Sequence, residues 1–181
     1  MKRIYSLCIP LILILIVIVG FTYKKEDKDE KKLGHIVLQV SNLKTSQDFY
    51  KDVLNMKTHE QATYQGKTRV FLASGDDEHH ELVLQERKTA NDSHVNTRYL
   101  QQLAFELNDH ATLVDFYKQL KNKNIALQLK NNQISWSLYF YDPDSVQIEL
   151  YWDVRNEPFG KTKFKGNQKE LSEDLLLNPP K

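Results

Sequence analysis

Four side chains in this sequence are of types that can hold a divalent cation: His35, Glu81, Gln102 and Glu149. Each belongs to a strand-like run, in turn "GHIVLQVS", "HHELVLQ", "QQLAFEL" and "VQIELYW". Residues two apart on a strand share a face. His35 therefore sides with Val37 and Gln39, Glu81 with Val83 and Gln85, Gln102 with Ala104 and Glu106, and Glu149 with Gln147 and Tyr151. The opposite faces are apolar: Ile36, Leu38 and Val40 on the first run, Ile148, Leu150 and Trp152 on the last. Each run thus has one face fit to be covered by a helix and one mixed polar face. A carboxylate as deep in apolar sequence as Glu149 needs a cation or hydrogen-bond donors. One His, one Gln and two Glu are hard and borderline N/O ligands. They suit Fe, Mn, Ni, Zn or Mg as divalent cations, not copper(I) or an iron–sulfur cluster. The plain alternative is a sheet whose polar face is simply wet. His79 and His80 are adjacent, so on a strand they point to opposite faces and cannot chelate together.

The elements that must position these residues form a repeat. "HIVLQVSNLKTSQDFYKDVL" begins at His35 and "QLAFELNDHATLVDFYKQLK" at Gln102, with "DFYK" at 48–51 and again at 115–118. The offset is 67 residues in both cases, while Glu81 and Glu149 match at an offset of 68. Each half reads β-α-β-β-β. In the first, the strand at His35 and the helical spacing of "SQDFYKDVL" precede strand-like "KTHEQATY", "TRVFLAS" and "HHELVLQE". The second repeats the order, with helix "ATLVDFYKQLKNKN", strands "IALQLK", "SWSLYFY" and "VQIELYW", and a "DPDS" turn. Asn42 or Ser41, and Asp109, are the expected helix N-caps. The predicted fold class is α+β: two βαβββ modules, 33–88 and 98–155, forming a curved mixed sheet with a central cleft. Together they make a domain over 33–157. Residues 158–181 lose strand periodicity and read as a flexible tail.

The chain has 181 residues and a formal net charge of +1, which leaves no basic excess for nucleic acid. A single cysteine, Cys8, excludes an intramolecular disulfide and a cysteine-based zinc cage. Residues 4–23, "IYSLCIPLILILIVIVGFTY", carry no charge, and at about 1.5 Å per residue they are long enough to cross a bilayer core. Residues 1–23 are therefore expected to be an N-terminal transmembrane anchor, with a cleaved signal peptide as the competing reading. The expected localisation is single-pass membrane, its side left open. Residues 24–32 are all charged and read as a linker.

Paired β-α-β-β-β modules with His at the first strand and "SLYFYDPDSVQIELYW" at the last resemble the vicinal oxygen chelate superfamily. That superfamily includes glyoxalase I, extradiol dioxygenases, fosfomycin-resistance enzymes and bleomycin-binding proteins. The likeness spans about residues 33–155 and is nearest the catechol 2,3-dioxygenase-like branch. It implies one divalent metal in the cleft, with His35 and Glu149 as ligands and Gln102 where the dioxygenases have a second His. With Glu81 the set becomes a glyoxalase-like quartet. Tyr139 matches the dioxygenases' motif tyrosine and joins Glu149 as an implied catalytic residue. Three positions depart from the pattern: Gln102, the stretch Asn131–Asn132–Gln133 where an acid His is expected, and Ser145 where the family has Gly.

The resemblance implies a metal-dependent dioxygenase or lyase acting on a small molecule with vicinal oxygens. A metal-free, resistance-type binding protein is the alternative. A membrane-tethered interaction domain with a vestigial cleft is a third. Both a cleft closed within one chain and one shared by a homodimer agree with it.

Overall fold

The two halves fold as the repeat requires. The first module runs β1 (Ile36–Val40), α1 (Leu43–Leu54), β2 (Lys57–Tyr64), β3 (Lys67–Ala73) and β4 (Leu82–Glu86). The second runs β5 (Gln102–Leu107), α2 (His110–Asn122), β6 (Gln128–Asn131), β7 (Ser135–Tyr141) and β8 (Gln147–Asp153). Two further elements follow, β9 (Lys169–Glu170) and α3 (Glu173–Leu177). This is a computed structural model, and it describes residues 33–64, 66–76, 80–87 and 100–180.

One feature of the expected fold is corrected. The strands do not form one curved sheet but two mixed sheets, ordered β1-β4-β3-β2 and β5-β8-β7-β6-β9. In each, the first and last strands of the module pair in parallel, and the remaining pairings are antiparallel. The expected membrane localisation is corrected too. Among the described residues no helix is long and apolar enough to cross a membrane. The apolar run 4–23 lies outside the described residues, as does the linker 24–32.

Local chemistry starts both helices as predicted. Asn42 accepts from the Thr45 amide at 2.9 Å and Asp109 from the Thr112 amide at 2.8 Å. Each bond satisfies an amide that has no partner inside the helix. Helix α1 ends where Asn55 turns left-handed at φ 56° and the Met56 amide returns to the Tyr50 carbonyl at 3.1 Å. The "DFYK" segments place Tyr50 and Tyr117 on the buried face, with Val53, Leu54, Leu113 and Leu120 beside them. These side chains join Leu38, Val40, Leu84, Leu138, Ile148 and Leu150 of the sheets in a single apolar cluster.

The "DPDS" turn fastens the two modules together. Asp142 accepts from the amides of Asp144 and Val146 at 2.9 and 2.7 Å, and from the Tyr50 hydroxyl at 2.9 Å. Asp144 accepts from the Ser41 amide at 3.0 Å, from Ser46 Oγ at 3.2 Å and from Arg87 at 2.9 Å. Burial pushes the Asp142 carboxyl above its ordinary value. Burial, then the charge of Asp142, pushes the Tyr50 phenol up strongly. Where the family has Gly, Ser145 takes φ 64°.

Residues 158–180 are not a loose tail. Phe159 stacks on Trp136, ring centroids 4.8 Å apart, and Leu171 and Leu176 are buried. Strand β9 pairs with β6, and His110 Nε2–H donates to the Leu176 carbonyl at 2.7 Å. Gly160 permits this return. A Cβ there would lie 1.6 Å from the Val154 carbonyl oxygen. We call residues 159–170 the strap.

Candidate active site

Strand β8 runs between β5 and β7, so a polar residue on its inner face is flanked on both sides. Glu149 occupies that position, opposite Ala104 on β5 and Tyr139 on β7, and is buried. Its Oε1 accepts from Ser137 Oγ and Tyr139 OH, both at 2.7 Å, with Asn132 Nδ2 at 3.5 Å. Its Oε2 accepts from Gln102 Nε2. All of these donors are neutral. They account for a carboxylate in an apolar strand, because hydrogen bonds replace the water lost on burial. Tyr139 is pushed up to about 12, by burial first and then by the bond to Glu149.

Around this carboxylate lies a cavity of about 480 Å³ lined by Asn132, Ile134, Ser135, Tyr139, Glu149, Tyr151, Asp153, Arg155, Phe164 and Gln168. The lining mixes aromatic and aliphatic side chains with a few polar groups, as small-molecule sites do. Arg155 clamps Asp153 through Nε at 2.8 Å and holds its carboxyl below the ordinary carboxylate range. Tyr151 donates to Glu106 at 2.9 Å and is pushed up to about 12, by burial first.

Of the residues expected at the site, the structure brings Gln102, Tyr139 and Glu149 together. His35 is exposed, its ring 4.6 Å from that of His80, which in turn packs edge-on to Phe71. Glu81 accepts from the Ser74 amide at 2.7 Å and Ser74 Oγ at 2.5 Å. It lines a separate cavity of about 560 Å³ with Met56, Phe105 and Leu107. His79 lies outside the described residues.

Strand register separates the two glutamates. Val37 pairs with Val83, whereas its repeat counterpart Ala104 pairs with Glu149. Glu149 thus takes the place of Val83, two residues deeper than Glu81, which precedes β4.

Among the network and cavity residues that carry no assigned role in the sequence are Asn132, Ser137, Gln168, Phe164 and Arg155. Asn132 falls where the acid His was expected and feeds the network from that position. Ser137 is two residues before Tyr139 and so was visible as its neighbour on one face. Gln168, Phe164 and Arg155 carry no comparable sequence signal.

Glu149 and Gln102 carry side-chain oxygens of the kind hard divalent cations take, and among the described residues Glu149 Oε2 accepts from the Gln102 amide. The pair fits as part of a metal's ligand set. Among the described residues no group of three or more His, Cys, Asp or Glu gathers to complete it within the chain.

A family model described as the Glyoxalase/Bleomycin resistance protein/Dioxygenase superfamily matches residues 32–150. The chain belongs to this superfamily. Among the superfamily's curated members, biphenyl-2,3-diol 1,2-dioxygenase 2 of Rhodococcus globerulus is 29% identical over 156 residues, covering 82% of this chain and 80% of its own length. Metallothiol transferase FosB of Staphylococcus epidermidis is 29% identical over 122 residues, covering 66% and 80%. A solved variant of the fosfomycin resistance protein FosX from Listeria monocytogenes, complexed with Mn(II) and a dihydroxypropylphosphonic acid, shares the fold. Its TM-score is 0.52 at 18% identity, over 68% of this chain and 92% of that one.

Proposed function

We propose that this superfamily member is a divalent-metal-dependent enzyme, dioxygenase-like or glyoxalase-like, acting on a small molecule with two adjacent oxygens. The observation that carries the reading is the asymmetric hydrogen bonding of Glu149. Oε1 is held by two hydroxyls, and Oε2 meets one neutral amide. Relatives named as dioxygenases and metallothiol transferases, and the Mn(II) of the FosX structure, support it.

When bound, the cation would polarise the substrate's two adjacent oxygens as a Lewis acid. Glu149 and Gln102 would hold it through side-chain oxygens, the Gln102 amide turning to present its Oε1. Tyr139 orients a substrate oxygen with its hydroxyl, and Glu149 takes or returns a proton at Oε2. Tyr151 and Phe164 cover the apolar part of the substrate. His35 and Glu81 would complete the ligand set from a second copy of the chain. This agrees with the exposure of His35 and with the unpaired outer edges of β1 and β5 among the described strands.

A second reading has its own observation. Glu149 already accepts from Ser137, Tyr139 and Gln102, so its burial needs no cation. The protein would then bind its small molecule without metal or catalysis.

Elemental analysis of the purified full chain, reloaded with Fe(II), Mn(II), Ni(II) or Zn(II), separates the two. The enzyme reading expects about one metal per chain, lost in Glu149→Ala. Mixing His35→Ala with Glu149→Ala chains should restore part of the metal content, since one of two shared sites is then intact. No metal under any loading overturns the reading and leaves the binding protein.

A further inference from the structure

The strap lies beyond residues 32–150, yet one of its side chains reaches the network around Glu149. Gln168 Nε2 donates to Asn132 Oδ1 at 2.8 Å. Asn132 is buried, and this bond occupies its side-chain oxygen. Its Nδ2 then faces inward, nearest Ser137 Oγ at 3.0 Å and Tyr139 OH at 3.1 Å, with Ser135 Oγ at 3.3 Å and Glu149 Oε1 at 3.5 Å. A hydroxyl has one proton to donate. With Asn132 donating to both hydroxyl oxygens, Ser137 and Tyr139 direct their protons to Glu149 Oε1. Every bond in the chain Gln168–Asn132–hydroxyl–Glu149 therefore points the same way.

We propose that Gln168 is a positioning residue that fixes this direction, committing Glu149 Oε1 to the two hydroxyls and leaving Oε2 as the oxygen that takes a cation or proton. The inference adds to the enzyme reading a residue from outside the superfamily match. Groups hydrogen-bonded directly to a ligand carboxylate tune metal affinity by about 10- to 100-fold, and Gln168 acts on those groups from two bonds further out.

Reversing the donor tests it. In Gln168→Glu the side chain keeps its shape but can no longer donate when ionised. The Asn132 amide must turn its nitrogen outward, and its oxygen then meets the hydroxyls and draws their protons from Glu149. In Gln168→Lys the shape changes but a donor remains. Mn(II) affinity of the full chain, read from the free-ion EPR signal, should fall about 10-fold in Gln168→Glu and stay within about threefold of wild type in Gln168→Lys. Plain charge effects predict the opposite order, and a packing role predicts that Glu, the better isostere, is the milder change. In an Asn132→Leu background the two substitutions should no longer differ.

A second readout does not depend on metal. The Asn132 side-chain amide protons should show NMR contacts to the Tyr139 ring in wild type and in Gln168→Lys, and lose them in Gln168→Glu. If wild type binds no Mn(II) while these contacts behave as stated, the metal reading fails and the positioning role stands. Unchanged contacts in Gln168→Glu, or equal Mn(II) affinity for the Glu and Lys variants, overturn the positioning role.

Discussion

The inner faces of the two sheets differ more than their shared sequence pattern suggests. On the four-stranded sheet, the middle of the face carries an Arg69–Gln85 hydrogen bond at 2.8 Å, and Glu81 sits before the strand on Ser74. On the five-stranded sheet, Glu149 sits in mid-strand at the centre of a buried network. Two differences produce this contrast. One is the two-residue change of register that puts Glu149 where the first module has Val83. The other is the strap, which has no counterpart in the first module's described residues. It adds β9 beyond β6 and brings Gln168 to Asn132. Pairing register and one appended segment thus give one copy of a repeated module a buried hydrogen-bond network that the other lacks among the described residues.

The strap gives the sharpest way to break this comparison. Leu176, in α3 just after the strap, is fully buried, and Leu176→Ala should lower unfolding free energy by about 2–5 kcal/mol. Urea denaturation measures the loss. A change under about 1 kcal/mol would mean that the C-terminal segment packs too weakly to distinguish the sheets.

The glutamates come next. Glu149→Leu leaves the buried Ser137 hydroxyl and the half-buried Tyr139 hydroxyl without their acceptor and should cost about 2 kcal/mol. Glu81→Leu leaves Ser74, which is exposed and can turn to water, so it should cost under about 1 kcal/mol. Equal losses in denaturation would erase the difference between the two faces.

The smallest effect belongs to the turn before β8. Ser145 holds φ 64°, a region that disfavours a side chain. Ser145→Gly should stabilise the protein by about 0.5–1 kcal/mol, less the added chain entropy of Gly. A differential scanning measurement would show a higher Tm. A lower one would mean that the Ser145 side chain helps hold the turn.

Much of the fold was legible because its signals are local. The alternation of Ile36, Leu38 and Val40, the helical faces of the two "DFYK" segments and the caps at Asn42 and Asp109 each involve residues within a few positions. The mutual approach of Gln102, Tyr139 and Glu149 was legible through the family pattern. The strap was not, because residues 159–170 carry only two apolar side chains, Phe159 and Phe164, too few to show a strand or helix period. Division into two sheets escaped for a related reason, since strand pairing depends on how distant edges meet.

The sequence alone thus determined the β-α-β-β-β order of both halves and the polar strand faces that carry Gln102 and Glu149. Hydrophobic periodicity and capping are short-range and survive in one dimension. Tertiary structure decided which glutamate is buried, which donors reach it and what closes its pocket. Those depend on strand register and on a return of the chain from Gly160 to Lys169, where the free energies of many weak contacts are compared at once.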